Sequence, residues 1–123
     1  LTRGNKILAA KRGPRMSLAG LWEFPGGKIE SGETPHEALA RELAEELRCE
    51  VSIGALINTA QHEYDFGVVH LTTFYCALIG AEPTLTEHEA ILWIDAAELD
   101  TLEWAPADLP AVRQIMKDAA TWT

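Results

Sequence analysis

Residues 27 to 49 read GKIESGETPHEALARELAEELRC, and this stretch carries the signals that decide the fold. Thr34 and Glu37 have the spacing of a helix capping box, with a proline at the first helical position between them. Leu39, Leu43 and Leu47 then recur every fourth residue, which is typical of the apolar stripe of an amphipathic helix. The sequence therefore predicts a helix that begins after Thr34 and packs its leucines on a sheet.

The same helix has an acidic face. Glu42, Glu45 and Glu46 lie within an arc of roughly 100°, and each close pair of like charges costs an isolated helix roughly 0.2 to 0.5 kcal/mol. A cation is expected to offset this repulsion, and crowded carboxylate oxygens suit a hard divalent ion such as Mg²⁺ or Mn²⁺. The alternative is a solvated face on which Arg41 pairs with Glu45 or Glu37 as ordinary surface charge.

The bulk composition narrows the class of protein. The chain of 123 residues is expected to form one domain, residues 1–123, and its net charge of −9 argues against duplex nucleic acid as a partner. A small polyphosphate is compatible, because a bound metal inverts the local charge. No apolar run approaches the about 18 residues of a membrane span and no signal peptide is evident. We expect a cytoplasmic protein without a membrane partner; the sequence does not decide between monomer and homodimer.

Short apolar runs predict strands at residues 6 to 12, 51 to 60, 69 to 79 and 90 to 95. The turn-like residues near 65 to 67 predict a long hairpin over 56 to 79, with both arms in the middle of the sheet. A second helix is predicted at about 109 to 119. Residues 1 to 6 are expected to be the end of a strand and a hairpin turn, with a few N-terminal residues missing. The fold class is α/β (α+β), a mixed sheet flanked by helices.

The stretch from residue 27 resembles the signature of the Nudix hydrolases, G-x5-E-x7-R-E-U-x-E-E-x-G-U, where U is a bulky aliphatic residue. The match in register covers Gly27, Glu33, Arg41, Glu42, Leu43, Glu45 and Glu46. Arg48 and Cys49 depart from it, standing where the pattern has glycine and an aliphatic residue. The departure concerns the end of the helix, where a left-handed residue is normally glycine. The resemblance implies the family's α/β/α sandwich.

The resemblance also implies a divalent ion, Mg²⁺ or Mn²⁺, bound by carboxylates and one backbone carbonyl. The implied ligands are Gly26, Glu42, Glu45, Glu46 and Glu87. Arg41 is expected to orient one of the carboxylates, and Glu33 to support the loop and helix. Glu87 is expected to bind metal or activate water, because a glutamate six residues before a tryptophan does so in the MutT-like branch; Glu89 is the competing candidate. The implied catalytic residues are Arg41, Glu45, Glu46 and Glu87.

The segment Trp22-Glu23-Phe24-Pro25-Gly26-Gly27-Lys28 and the segment from Ala105 to Pro110 resemble the MutT-like nucleoside triphosphate pyrophosphohydrolases. The resemblance implies that Arg12 contacts the triphosphate and that Phe24 belongs to the substrate site. Trp104 either stacks on a base or is a core tryptophan.

Asp108 stands where this branch reads the base. Asparagine there is typical of enzymes that destroy 8-oxo-dGTP, and aspartate of relatives that act on CTP and modified cytosine nucleotides. An ionised aspartate accepts hydrogen bonds only, so it suits an exocyclic amine. Asp108 is equally well interpreted as the cap of the C-terminal helix.

The sequence thus predicts Mg²⁺-dependent hydrolysis of a nucleoside triphosphate, normal or modified, to the monophosphate and pyrophosphate, which would sanitise the nucleotide pool and serve DNA repair. Other diphosphate-containing substrates, such as ADP-ribose or a dinucleoside polyphosphate, are the enzymatic alternative. A non-catalytic module that senses a nucleotide is the alternative from another class.

Overall fold

The computed structural model describes residues 1–25, 31–80, 82–84 and 88–122. Its strands are β1 (Thr2–Arg3), β2 (Lys6–Lys11), β3 (Trp22–Glu23), β4 (Glu50–Tyr64), β5 (Gly67–Ile79) and β6 (Ala90–Asp95). Its α-helices are α1 (Pro35–Leu47) and α2 (Leu109–Ala119), and short 3₁₀ helices cover Ala96–Thr101 and Pro106–Asp108. No helix in this part of the chain is long and apolar enough to span a membrane.

Strand β2 is the centre of the sheet. It pairs with β6 along the whole of one edge, while β1 and β3 share its other edge at opposite ends. Strand β5 joins β1 in the parallel sense through Thr2 and Ala77, and β4 pairs antiparallel with β5. The sheet is therefore mixed, as the sequence predicts. The turn from β1 to β2 is also as predicted, with Gly4 at a φ of 58°.

The two faces of the sheet are covered by different helices. Because side chains alternate along a strand, Ile7 and Ala9 of β2 enter one core cluster together with Val112 and Ile115 of α2. Leu8 enters the other cluster, with Leu43 of α1. The predicted three-layer arrangement of helix, sheet and helix is confirmed.

Helix α1 begins as its sequence predicts, and it ends in a left-handed residue although the glycine of the family pattern is replaced by Arg48. The amide of Glu37 donates to Thr34 Oγ1 at 3.1 Å, and the amide of Thr34 donates to Glu37 Oε1 at 3.0 Å. The helix ends at Arg48, which has a φ of 52° and a ψ of 41°. This left-handed residue occupies the position at which the family pattern has glycine.

The hairpin of β4 and β5 is longer than predicted and turns at Asp65 and Phe66. The prediction that both arms lie in the middle of the sheet is wrong for β4, which pairs with β5 alone among the described strands. Since β1 is two residues long, Ala77 is the one position at which β5 pairs with a second strand among the described residues. The rest of the hairpin is free to form one wall of a cleft.

Candidate active site

A cleft of about 710 Å³ lies between the β4–β5 hairpin and the end of β3. The predicted substrate residues Arg12, Phe24 and Asp108 line it, together with Glu23 and Tyr64. These residues come from distant parts of the chain, and the sheet order brings them to one opening. The cleft is large enough for a nucleotide-sized ligand.

Arg41 organises the acidic face of α1. Its Nε and Nη2 donate to the two carboxylate oxygens of Glu33 at 2.7 and 3.0 Å, a bidentate contact. Its Nη1 donates to Glu42 Oε1 at 3.0 Å and to Glu45 Oε2 at 3.3 Å. One guanidinium therefore draws three carboxylates together, and the loop before α1 is tied to the helix.

A second ionic group joins His88 and Arg12 to Glu23, which lines the cleft. Nε2 of His88 lies 2.7 Å from Glu23 Oε2, and the other oxygen of Glu23 accepts from Arg12 Nη1. The bond to Glu23 raises the pKa of His88 above its ordinary value, against the effect of burial, and the charge of Glu46 adds to the rise. Glu46, with one carboxylate oxygen buried, thus acts on the same group of side chains.

Arg12, predicted to contact a triphosphate, is held in place by its neighbours. Besides Glu23, its guanidinium donates to the carbonyl and to the hydroxyl of Ser17. Among the described contacts each terminal nitrogen uses one of its two hydrogens, so the fork keeps donors for an anion in the cleft.

Asp108 is buried, with 6% of its surface exposed. Its Oδ1 accepts from the amide of Phe24 at 3.1 Å. It occupies the N-cap position of α2 but makes no side-chain capping bond, so the interpretation of Asp108 as a helix cap is wrong. Burial raises its pKa to about 7, with a smaller contribution from the charge of Glu23. The carboxyl is therefore partly protonated near neutral pH and can donate as well as accept, whereas an ionised aspartate, as expected from the sequence, only accepts.

Trp104 lies in the core. It is 6% exposed, and its indole N–H donates to the carbonyl of Leu99 at 2.6 Å. Its ring contacts Phe24 with a centroid distance of 4.6 Å, and it is absent from the residues that line the cleft. This position corresponds to the core alternative and not to base stacking, because an aromatic ring must be accessible to stack on a ligand.

Two predicted metal ligands, Gly26 and Glu87, and the signature position Gly27 fall outside the described ranges. Glu89, the competitor of Glu87, is described: its carboxylate lies 3.6 Å from Lys11 Nζ and its side chain is 51% exposed. This contact places Glu89 in a surface ion pair with β2.

The donor chemistry of the acidic face fits a divalent ion. No three His, Cys, Asp or Glu side chains converge into a metal cage within the described part of the chain. Mg²⁺, however, needs few protein ligands, since it keeps several waters and takes oxygens from substrate phosphates. Glu42 and Glu45 present oxygens to the same nitrogen of Arg41, so both carboxylates already face one point beside α1.

Comparison with known proteins gives the family. A model of the NUDIX domain matches residues 1–114. The chain belongs to the Nudix hydrolase family. The putative 8-oxo-dGTP diphosphatase 2 of Mycobacterium tuberculosis is 43% identical over 109 residues, covering 88% of this chain and 77% of that protein. The CTP pyrophosphohydrolase of Escherichia coli is 36% identical over 116 residues, covering 94% and 86%.

The solution structure of the MutT protein from Staphylococcus aureus, itself described as a Nudix hydrolase, is 53% identical and has a TM-score of 0.76. The superposition covers 95% of this chain and 90% of the Staphylococcus aureus protein. The predicted family, its MutT-like branch and the Nudix fold are thereby confirmed. Nudix hydrolases generally need a divalent metal, which agrees with the donor set of α1.

Sequence reasoning missed the contacts made by Glu23, His88 and Tyr64. Glu23 belongs to the segment that precedes the Nudix signature, and Tyr64 is part of the hairpin with no motif to indicate a role. His88 contacts Glu23, which lies 65 positions away in the chain, and no local sequence pattern predicts so distant a partner. The nearest signal is the placement of a histidine between two candidate acids before β6.

Proposed function

We propose that this Nudix hydrolase acts in the cytoplasm on a nucleoside triphosphate, normal or modified, and releases the nucleoside monophosphate and pyrophosphate with Mg²⁺ as cofactor. Water adds at phosphorus and the anhydride bond between the monophosphate and pyrophosphate parts breaks. The partner is a small nucleotide, and the activity is of the type that sanitises the nucleotide pool.

The observation that carries this proposal is the arrangement of Arg41. A single guanidinium holds Glu33, Glu42 and Glu45. It does so on the helix whose Pro35, Ala38 and Leu39 line a cleft large enough for a nucleotide. A non-catalytic sensor has no need of such an assembly. The assembly therefore supports hydrolysis over sensing.

Glu42, Glu45 and Glu46 would hold the divalent ion, together with Gly26 and Glu87, which lie beyond the described residues. The ion, when bound, neutralises phosphate charge and makes a water more acidic. Arg41 keeps the carboxylates in position, so that little rearrangement is needed when substrate arrives. Glu87 is proposed to accept the proton of the attacking water.

The proposed recognition of the nucleobase rests on Asp108 and Phe24. The carboxyl of Asp108 is buried at the cleft and held by the amide of Phe24, so its remaining oxygen is available to a base edge. Cytosine nucleotides are the first choice and an oxidised purine is close behind, in keeping with relatives named CTP pyrophosphohydrolase and 8-oxo-dGTP diphosphatase.

The test is chromatographic analysis of the products from a panel of CTP, 5-methyl-dCTP, UTP, dGTP and 8-oxo-dGTP, with ADP-ribose and a dinucleoside polyphosphate included. We expect the triphosphates to be hydrolysed with release of pyrophosphate, which ADP-ribose and the dinucleoside polyphosphate do not release. Turnover of ADP-ribose alone would replace the proposal with the alternative substrate class. Binding without turnover of any compound would support the sensing module.

Variants link the turnover to α1. Glu45→Gln and Glu46→Gln should each lower kcat by orders of magnitude and leave the circular dichroism spectrum unchanged, because they remove charge from the metal site and no packing from the core. Glu98→Gln, at an exposed position outside the cleft, is the matched control and should keep full activity. Wild-type turnover of either α1 variant at saturating Mg²⁺ would show that the metal assignment is wrong.

A further inference from the structure

The tip of the β4–β5 hairpin is bonded to the segment that carries Asp108. Tyr64 is the last residue of β4, and its Oη accepts from the amide of Ala107 at 2.8 Å. Ala107 immediately precedes Asp108 within the 3₁₀ helix Pro106–Asp108. A hydroxyl from the far wall of the cleft thus holds the backbone next to the proposed base reader.

This bond supplies something that the short helix lacks. The first amides of a helix have no partner within it, and neither Ala105, at the N-cap position of the 3₁₀ helix, nor Asp108, at that of α2, makes a side-chain capping bond. Tyr64 satisfies the Ala107 amide from 43 positions away. The amide of Ala107 therefore takes its acceptor from the hairpin and not from a capping side chain of the 3₁₀ helix.

The opposite side of this segment is fixed by β3. The amide of Trp22 donates to the carbonyl of Glu103, and the amide of Ala105 donates to the carbonyl of Trp22, both at 2.8 Å. The amide of Phe24 holds the Asp108 carboxyl itself. The segment that carries Ala107 and Asp108 is thus hydrogen-bonded to β3 on one side and to the Tyr64 hydroxyl of the hairpin tip on the other.

The ring of Tyr64 is itself held in place. It stacks on Phe66 with a centroid distance of 4.9 Å and an interplanar angle of 10°, and it contacts His62 at 4.5 Å. A side chain already restricted by its neighbours loses little entropy when its hydroxyl binds. The hairpin therefore presents the hydroxyl at a defined place.

We propose that Tyr64 is a positioning residue for base recognition: its hydroxyl holds the Ala107–Asp108 backbone so that the Asp108 carboxyl meets the hydrogen-bonding edge of the nucleobase. This inference rests on the proposed nucleotide hydrolysis. Tyr64 acts through Asp108 and belongs to specificity, not to the chemistry at α1.

Tyr64→Phe keeps the ring and removes the hydroxyl, which makes it the decisive variant. We expect the ratio of kcat/KM for CTP over UTP, or for 8-oxo-dGTP over dGTP if that pair is the one discriminated, to fall roughly three- to tenfold, as one lost hydrogen bond permits. The change should lie mainly in KM, with kcat within about twofold. Thr121→Val is the control, since it loses a hydroxyl bond of 2.7 Å to the carbonyl of Asp118 and lies outside the cleft; its ratio should not change.

A double-mutant cycle shows whether Tyr64 acts through Asp108. In the Asp108→Asn background, Tyr64→Phe should change the ratio by less than half as much as it does in the wild type, because the group it positions has been altered. An undiminished effect in that background would overturn the inference. So would an unchanged ratio in Tyr64→Phe with Asp108 intact.

Amide exchange measured by NMR tests the same contact without turnover. In Tyr64→Phe the amide of Ala107 should exchange about tenfold faster, as the loss of one hydrogen bond permits, and the amide signal of Phe24 should shift as Asp108 moves; Thr121→Val should show neither change. If the wild type hydrolyses no triphosphate, the proposed function fails, and these amide signals alone decide whether Tyr64 positions Asp108. Unchanged signals at Ala107 and Phe24 would overturn that positioning.

Discussion

Among the described residues of the candidate site, Arg41 makes hydrogen bonds to three carboxylates. Its bidentate contact with Glu33 and its bonds to Glu42 and Glu45 use the planar fork of the guanidinium, which a lysine ammonium cannot reproduce. The positive charge alone is therefore not sufficient for the role that the geometry gives to Arg41.

Arg41→Lys retains the charge and removes this geometry. We expect kcat/KM to fall about 10- to 100-fold, the usual effect of losing a partner that orients metal ligands. Steady-state kinetics across a Mg²⁺ titration provides the measurement. Arg113→Lys on the exposed face of α2 is the control, and equal activities of the two variants would contradict the orienting role.

Asp108 makes stability depend on pH. Its folded-state pKa of about 7 lies above the ordinary value of 3.8, so the protonated form is favoured in the folded protein. The contribution of the protonated Asp108 to the free energy of unfolding is fully present below about pH 4 and is lost as the pH rises through about 7. One pKa unit corresponds to about 1.4 kcal/mol, and the change should therefore amount to a few kcal/mol.

Urea unfolding of the wild type and of Asp108→Asn between pH 4 and 8 measures this dependence. The free energy of unfolding of the wild type should decline with rising pH relative to that of Asp108→Asn, because His88 and other titrating groups are common to both proteins. Asp100→Asn, at an exposed position, should run parallel to the wild type. Parallel curves for Asp108→Asn as well would mean that the buried carboxyl titrates normally.

At the scale of elements, the end of α1 is strained by Arg48. A left-handed conformation costs a residue with a Cβ roughly 1 to 2 kcal/mol, whereas glycine adopts it freely. Glycine also loses more backbone entropy on folding. Arg48→Gly should therefore raise the free energy of unfolding by about 0.5 to 1 kcal/mol, measured by urea unfolding, without changing turnover.

Arg48→Ala separates the backbone effect from loss of the arginine side chain. Alanine keeps the Cβ, so this variant should show no gain in stability. A similar gain in both variants would place the cause in the charge of Arg48 and not in its backbone conformation.

The elements also differ in how far the sequence predicts them. The capping box at Thr34 and the leucine repeat are local signals, and they are sufficient to locate α1 and the Nudix signature that it carries. Strand positions follow from apolar runs, but the position of β4 at the edge depends on the order of strands, which local patterns do not contain. The bond between Glu23 and His88, the raised pKa of Asp108 and the contact of Tyr64 all arise from burial and long-range packing.

For the whole molecule, the distribution of charge sets the response to metal. The net charge is −9, and Lys6, Lys11, Arg12 and Arg41 all lie in ion pairs with carboxylates. Several cations of the protein are thus engaged, and the acidic excess includes the crowded face of α1. A divalent ion that binds the folded state should relieve this repulsion and stabilise the fold.

Mg²⁺ or Mn²⁺ should raise the Tm in a concentration-dependent way, by several degrees, because binding at ten times Kd contributes about 1.4 kcal/mol and each 1 kcal/mol shifts a domain of this size by roughly 3 to 5 °C. Differential scanning fluorimetry against KCl at matched ionic strength excludes simple screening, and EDTA should reverse the shift. Glu42→Gln should shrink the shift, whereas Glu98→Gln, which removes the same charge elsewhere, should leave it intact. The same Tm shift in both variants, or a Tm that does not change in millimolar divalent ion, would mean that the acidic face of α1 is a solvated surface. The metal would then be bound elsewhere or with the substrate.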